Sequence, residues 1–250
     1  MGNAIPERER IAALDIMRGC ALIYVMLYHL MYDLRFMFGA DTPSVLTPGD
    51  AVFEIFHTLC LITLFVVSGI CTRYSRDSVR RGAVLYIAGF LITAGTELFM
   101  PSELILFGVI SCFGACMVIT GLLKKPLSKL PVWTAPLFFL LWAVFENTYK
   151  TGEINLFFTT VTAHFPEVQY LYPIGITGSG FYSADYFPLV PWLFLFLTGF
   201  ALFPAVDGRK LPGGFYRVHC APLEFIGRHS LWFYALHQPL FLGVLAVILG

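Results

Sequence analysis

The chain has 250 residues, of which 58% are hydrophobic, 16% aromatic and 13% charged, with a formal net charge of zero. A soluble domain of this length carries about 25% charged residues, so the composition argues against one, and the balanced charge gives no electrostatic case for nucleic acid. The mean hydropathy of +0.75 comes from long apolar runs separated by short polar stretches. Several runs reach the length of about 20 residues that a membrane span needs.

In chain order, spans are predicted at about 11–34, 51–72, 82–99, 103–123, 132–148, 184–203 and 223–249. The expected fold is all-α, a polytopic helical bundle of about seven transmembrane helices in a single domain over 1–250, with the lipid bilayer as its first partner. The first run contains Asp15, Arg18 and His29 and has no small-residue cleavage site, so it is read as a retained span rather than a signal peptide. The last run is long and holds Pro239, where a kink is expected. The longest connection, between Glu153 and Tyr182, is rich in Phe, Tyr and Gly. It reads as a partly buried loop with room for one short extra helix.

Lys and Arg residues alternate by connection. Arg8 and Arg10, then Arg73 to Arg81, then Lys124 to Lys129, then Arg209 to Arg217 mark one set of loops, while the other set holds only Arg35 and Lys150. By the positive-inside rule the basic set and the amino terminus face the cytoplasm. The six cysteines lie in or beside apolar runs without metal-ligand spacing, so no metal site is expected.

Two basic residues fall outside this loop pattern, Arg18 and Arg228. An Arg at a helix centre costs about 2.5–3.5 kcal/mol on insertion scales, so such residues face a partner or a polar cavity. On the first helix, Asp15, Arg18, Leu22, Met26, His29 and Asp33 follow one another in steps of three and four. That spacing places every ionisable group of the helix on one stripe. Arg18 and His29 are separated by about 16 Å along the axis. Asp33, one turn beyond His29, is placed to orient the imidazole as a general base. An interfacial Asp15–Arg18 ion pair with a packed His29 accounts for the stripe equally well.

The last span carries Glu224, Arg228, His229, Tyr234, His237 and Gln238. Glu224 and Arg228 can pair at four residues' spacing, Arg228 can anchor a helix end or meet an anionic ligand, and His237 lies about 20 Å deeper. Asp185 and Trp192 open the sixth span, where an aromatic belt or a mouth for an external acceptor would sit. Glu54 and His57 read as structural polar contacts.

Three blocks carry a resemblance. Asp15-Ile16-Met17-Arg18-Gly19 continuing to Tyr28-His29 and Tyr32-Asp33-Leu34, then Tyr186-Phe187-Pro188-Leu189-Val190-Pro191-Trp192, then Gly227-Arg228-His229-Ser230-Leu231 through His237-Gln238-Pro239 resemble the heparan-α-glucosaminide N-acetyltransferase catalytic-domain family. The Arg18-to-His29 spacing also resembles the arginine–histidine signature of the related acyltransferase-three family. One departure stands in the fourth span, where Ser111 occupies a position that often carries His.

The resemblance implies a transmembrane acyltransferase that takes acetyl-CoA or another acyl-CoA from the cytosol. The acyl group would go to an amine or hydroxyl of a glycan-type acceptor on the far side, with His29 catalytic and Asp33 orienting it. Arg18, Arg228 and His229 are the expected CoA-binding residues, and His237, Gln238, Asp185 and Trp192 the expected acceptor-binding residues. A bacterial cytoplasmic membrane is the expected location, and a homodimer is compatible with it. The rival reading is a transporter or flippase that moves an anionic solute or lipid with the same buried Arg and His.

Overall fold

The structure, a computed structural model, describes residues 10–162 and 168–249. Arg8, counted above among the basic residues, lies outside them. The described chain is mostly helical. Five helical stretches are long and apolar enough to cross a membrane: Ala12–Met37, Ser44–Tyr74, Ser78–Phe99, Leu189–Asp207 and Ser230–Leu249. They contain α1 (Ala12–Tyr32), α2 (Ala51–Tyr74), α3 (Ser78–Phe99), α8 (Leu189–Asp207) and α11 (Ser230–Leu249). The fourth and fifth predicted spans contain α4 (Val109–Leu122) and α6 (Thr134–Phe145), of 14 and 12 residues. At 1.5 Å per residue these rise about 21 and 18 Å, short of a hydrocarbon core of about 30 Å. Between them lies α5 (Lys124–Leu127), and α7 (Thr148–Thr151) follows α6.

One expectation is corrected. The last span is not one helix but two, α10 (Ala221–Arg228) and α11, preceded by the short α9 (Gly213–Arg217). The break falls at His229 (φ −103°, ψ 20°), whereas Pro239 sits inside α11. The cause is local: the His229 N–H and its Nδ1 both turn to the Phe225 carbonyl, at 3.1 and 2.9 Å, which closes α10. The all-α expectation agrees with the mostly helical described chain, to which β1 (Glu153–Asn155) and β2 (Thr160–Thr162) add one short antiparallel ribbon. Gly152 takes the left-handed conformation that ends α7 (φ 70°), and the Asn155 side chain accepts the Phe157 N–H at 2.8 Å, a turn motif typical of Asn. The extra helix expected in this connection is a single 3-10 segment, Gln169–Ile174.

The chain forms two compact units, residues 65–208 in one and the residues before and after them in the other. In the 65–208 unit, Phe65 and Phe196 are fully buried and glycines set the helix spacing. A Cβ on Gly199 would meet the Val66 carbonyl oxygen at 1.9 Å, and one on Gly89 would meet Ser111 Oγ at 2.1 Å. Ser111 therefore sits in the seam between α3 and α4, where an imidazole has no room. Trp192 is buried against Phe65 and Phe187, each ring centroid 4.9 Å away. Asp185 Oδ2 accepts the Val109 N–H at 3.1 Å, at the first turn of α4, where unpaired amides favour a carboxylate. Burial pushes the Asp185 carboxyl up to about 6, and the Val109 hydrogen bond opposes the rise only in part.

Two outcomes are expected. Gly199→Ala lowers the thermal unfolding midpoint of the detergent-purified protein, at a cost of about 1–3 kcal/mol for forced backbone separation. Gly95→Ala, whose Cβ would meet nothing within 4 Å, leaves that midpoint in place. For Asp185, a folded pKa of about 6, raised by burial from the ordinary 3.8 of a free aspartate, means that the protonated form favours the fold. Its contribution is complete below about pH 4 and is lost as pH rises through 6. Midpoints measured at pH 5 and pH 8 are therefore expected to fall more for the natural protein than for Asp185→Asn.

Candidate active site

The stripe on α1 meets its partners in the unit that contains both ends of the chain. At one end of α1 the helix crosses α10 at the closest approach that backbones permit. A Cβ on Gly227 would meet the Asp15 carbonyl oxygen at 1.9 Å, and one on Gly19 would meet the Leu223 carbonyl oxygen at 2.3 Å. This approach lets Arg18 Nη1 donate to the Gly227 carbonyl at 3.1 Å.

A charged cluster closes around the crossing. Buried Asp15 accepts from Arg10 Nε at 2.6 Å and from Arg10 Nη2 at 3.0 Å. Arg18 Nη1 and Arg228 Nε approach the same carboxylate at 3.8 and 3.7 Å. Arg228 also donates to Glu224, which accepts the Cys220 N–H at 3.2 Å and faces His219 Nδ1 at 3.4 Å. Partial burial pushes the Glu224 carboxyl up, but the Cys220 N–H, His219 and Arg228 outweigh it and hold it below the usual carboxylate range. Three guanidinium groups thus stand against two carboxylates. The Arg18 side chain is 14% exposed, that of Arg228 45% and that of Arg10 60%, so Arg10 and Arg228 form the side of the cluster open to an incoming anion. His229 is exposed beside it, its ring 4.4 Å from that of Phe225.

The other end of α1 holds the imidazoles. Directly after α1 the chain widens into a single π-helical turn, Asp33–Met37, a geometry frequent at functional sites. Asp33 is fully buried there and accepts from Gln238 Nε2 at 2.8 Å, which ties α1 to α11. One residue before Gln238, His237 is buried, with its ring centroid 5.1 Å from that of His29. His237 Nδ1 lies 2.7 Å from the Tyr234 carbonyl oxygen, and the Tyr234 ring stands edge-on to His29 at 6.5 Å. Leu22 and Val25, between the two ends, are buried, and Met26 is half-buried.

The structure therefore brings together His29, Asp33, His237 and Gln238 at one end of the stripe, and Arg18 and Arg228 at the other with His229 alongside. Asp185 and Trp192 belong to the 65–208 unit, where one caps α4 and the other packs against Phe65 and Phe187. Asp33, expected to orient His29, accepts a hydrogen bond from Gln238.

Glu54 and His57, read from the sequence as structural polar contacts, gather around Tyr28 beside His29. The Tyr28 ring stacks on His57 at 3.8 Å and 8° and on Phe53 at 5.3 Å, and its hydroxyl donates to Glu54 Oε1 at 2.8 Å. Glu54 Oε1 also accepts the Gly49 N–H at 2.9 Å, and His57 Nδ1 is 3.9 Å from Glu54 Oε2. The signal was present as a Glu and a His three residues apart at the head of an apolar span. Among the described residues no three His, Cys, Asp or Glu side chains converge as a metal site.

The family model described as heparan-alpha-glucosaminide N-acetyltransferase, catalytic, matches residues 10–239. No curated protein and no solved structure matches the chain significantly. The matched region takes in the charged cluster on α1 and α10 and the imidazole pair of α1 and α11, and it covers most of the chain. The chain belongs to the heparan-alpha-glucosaminide N-acetyltransferase catalytic-domain family.

Proposed function

We propose that the protein transfers an acyl group, acetyl in the simplest case, from cytosolic acyl-CoA to an amine or hydroxyl of a glycan-type acceptor across a bacterial cytoplasmic membrane. The observation that carries this reading is the His29–His237 pair, two imidazoles 5.1 Å apart on α1 and α11, in a chain of an acetyltransferase family. Acyl transfer needs a group that takes a proton from the attacking nucleophile, and imidazole is the side chain most often used for it. In this reading seven apolar helices cross or enter the bilayer, and the basic connections lie with the amino terminus on the cytoplasmic side.

The two ends of the stripe divide the work. The arginine cluster fits the phosphates of CoA at its open edge, Arg228, with His229 beside it and Arg10 flanking. Arg18, held on Asp15 and the Gly227 carbonyl, keeps that edge in place. The pantetheine arm runs alongside α1 past Met26, and the thioester carbonyl reaches His29. The C–S bond breaks as the bond to the acceptor forms, and the proton that leaves the acceptor passes through His29. Asp33 fixes the end of α1 through Gln238. A flippase for anions would need open cationic groups deep along the stripe, whereas the guanidinium groups here lie at one end and against carboxylates.

Two measurements on the detergent-purified protein check this. With acetyl-CoA as donor and candidate amine acceptors, His29→Ala is expected to lower CoA release by about 100-fold or more, and undiminished turnover removes the assignment. Arg228→Ala is expected to raise KM for acetyl-CoA at least about fivefold with kcat little changed, and more so at low salt. An unchanged KM removes Arg228 from the phosphate site.

A further inference from the structure

The two polar residues that α11 presents beside His29 have their hydrogens placed by their partners. The Tyr234 carbonyl can only accept, so the contact of 2.7 Å requires the hydrogen of the His237 ring to be on Nδ1. In the neutral ring Nε2 then carries a lone pair. Likewise Gln238 donates through Nε2 to Asp33 Oδ1 at 2.8 Å, and Oε1 is left as an acceptor. Both His237 Nε2 and Gln238 Oε1 are buried without a hydrogen-bond partner among the described residues. A buried polar atom in a native fold is normally satisfied by protein, water or ligand. Here two acceptors wait side by side in the sequence, with no donor to match them.

Acceptors of this kind cannot form an oxyanion hole, which requires donors. They fit a group that brings its own N–H or O–H. We infer that His237 Nε2 is the atom that first receives the acceptor's proton, with Gln238 Oε1 aligning the acceptor. This deepens the acyltransferase reading and rests on it. The step balances as follows. The acceptor's nitrogen or oxygen bonds to the thioester carbonyl carbon, the C–S bond breaks, and its electron pair leaves on sulfur. The acceptor's proton goes to His237 Nε2. From there it crosses to the His29 ring, which accepts on one nitrogen and gives from the other, and ends on the thiolate to yield the free thiol. His237 returns to its neutral form with the hydrogen on Nδ1.

The test uses the full chain in detergent, acetyl-CoA, and two acceptors of unequal need. Glucosamine requires a base to shed its proton, whereas hydroxylamine attacks thioesters without one. His237→Gln keeps a hydrogen-bond acceptor at about the same reach but cannot take a proton. CoA release with glucosamine is expected to fall about 100-fold or more, and with hydroxylamine by less than about tenfold. Equal losses with both acceptors, or no loss with either, overturn the inference. A second readout does not depend on turnover or on the variant's activity. In protein labelled with 15N-histidine, with His237 assigned by its loss in His237→Gln, the ring hydrogen is expected on Nδ1, and added glucosamine is expected to shift the Nε2 resonance. A hydrogen on Nε2, or an Nε2 signal that glucosamine does not move, overturns the inference as well. Natural protein that shows the expected ring signals yet releases no CoA with either acceptor removes the acyltransferase reading instead.

Discussion

Hydrocarbon gives an ionisable side chain nothing to bond to, and the fold of the terminal unit follows from that constraint. Helix α1 and the π-helical turn that follows it carry Asp15, Arg18, His29 and Asp33 at helical spacing, each of them expensive if turned to lipid. The carboxy-terminal helices supply the answers. Arg228 of α10 reaches Asp15, Gln238 of α11 reaches Asp33, and His237 comes to His29. The crossing that makes this geometry possible depends on Gly19 and Gly227, where no side chain intervenes between the backbones. The first and last helices of the chain are thus bound by polar contacts rather than by apolar packing alone.

From this comes a separation that suits a long, two-ended substrate. Charge is concentrated where α1 meets α10, and titratable rings are concentrated about 16 Å farther along the helix. A phosphate-bearing head and a reactive thioester are held apart on one molecule in the same manner. The guanidinium groups that neutralise Asp15 and Glu224 leave one positive charge over, at the exposed edge. The ring end is the opposite in character, with neutral acceptors and aromatic walls from Tyr28, Tyr234 and Phe241.

The stripe itself was legible because helical spacing is a local property: steps of three and four residues are visible without any partner. Membrane character and the placement of the apolar helices were legible for the same reason, since hydropathy is summed over a window. The partners were not. Asp33 and Gln238 are 205 residues apart in sequence, and nothing local to either announces the other. Hydropathy also does not see where a helix stops, which is why α4 and α6 were read as full spans and why the break at His229 was assigned to Pro239. Trp192 stands in the Tyr186–Trp192 block that carries the resemblance, with Asp185 directly before it, yet their contacts are those of a packed ring and a helix cap. Ser111 lies in the tight seam with Gly89.

Covalent transfer, as opposed to passage of an intact solute, is the claim on which the account stands. The direct measurement reconstitutes the protein in liposomes with glucosamine inside and acetyl-CoA labelled in its acetyl carbon outside, then identifies the labelled species in the lumen. The account predicts labelled N-acetylglucosamine inside, accompanied by an equal amount of free CoA outside. Label that remains on CoA, with or without movement of an unmodified solute, would contradict it.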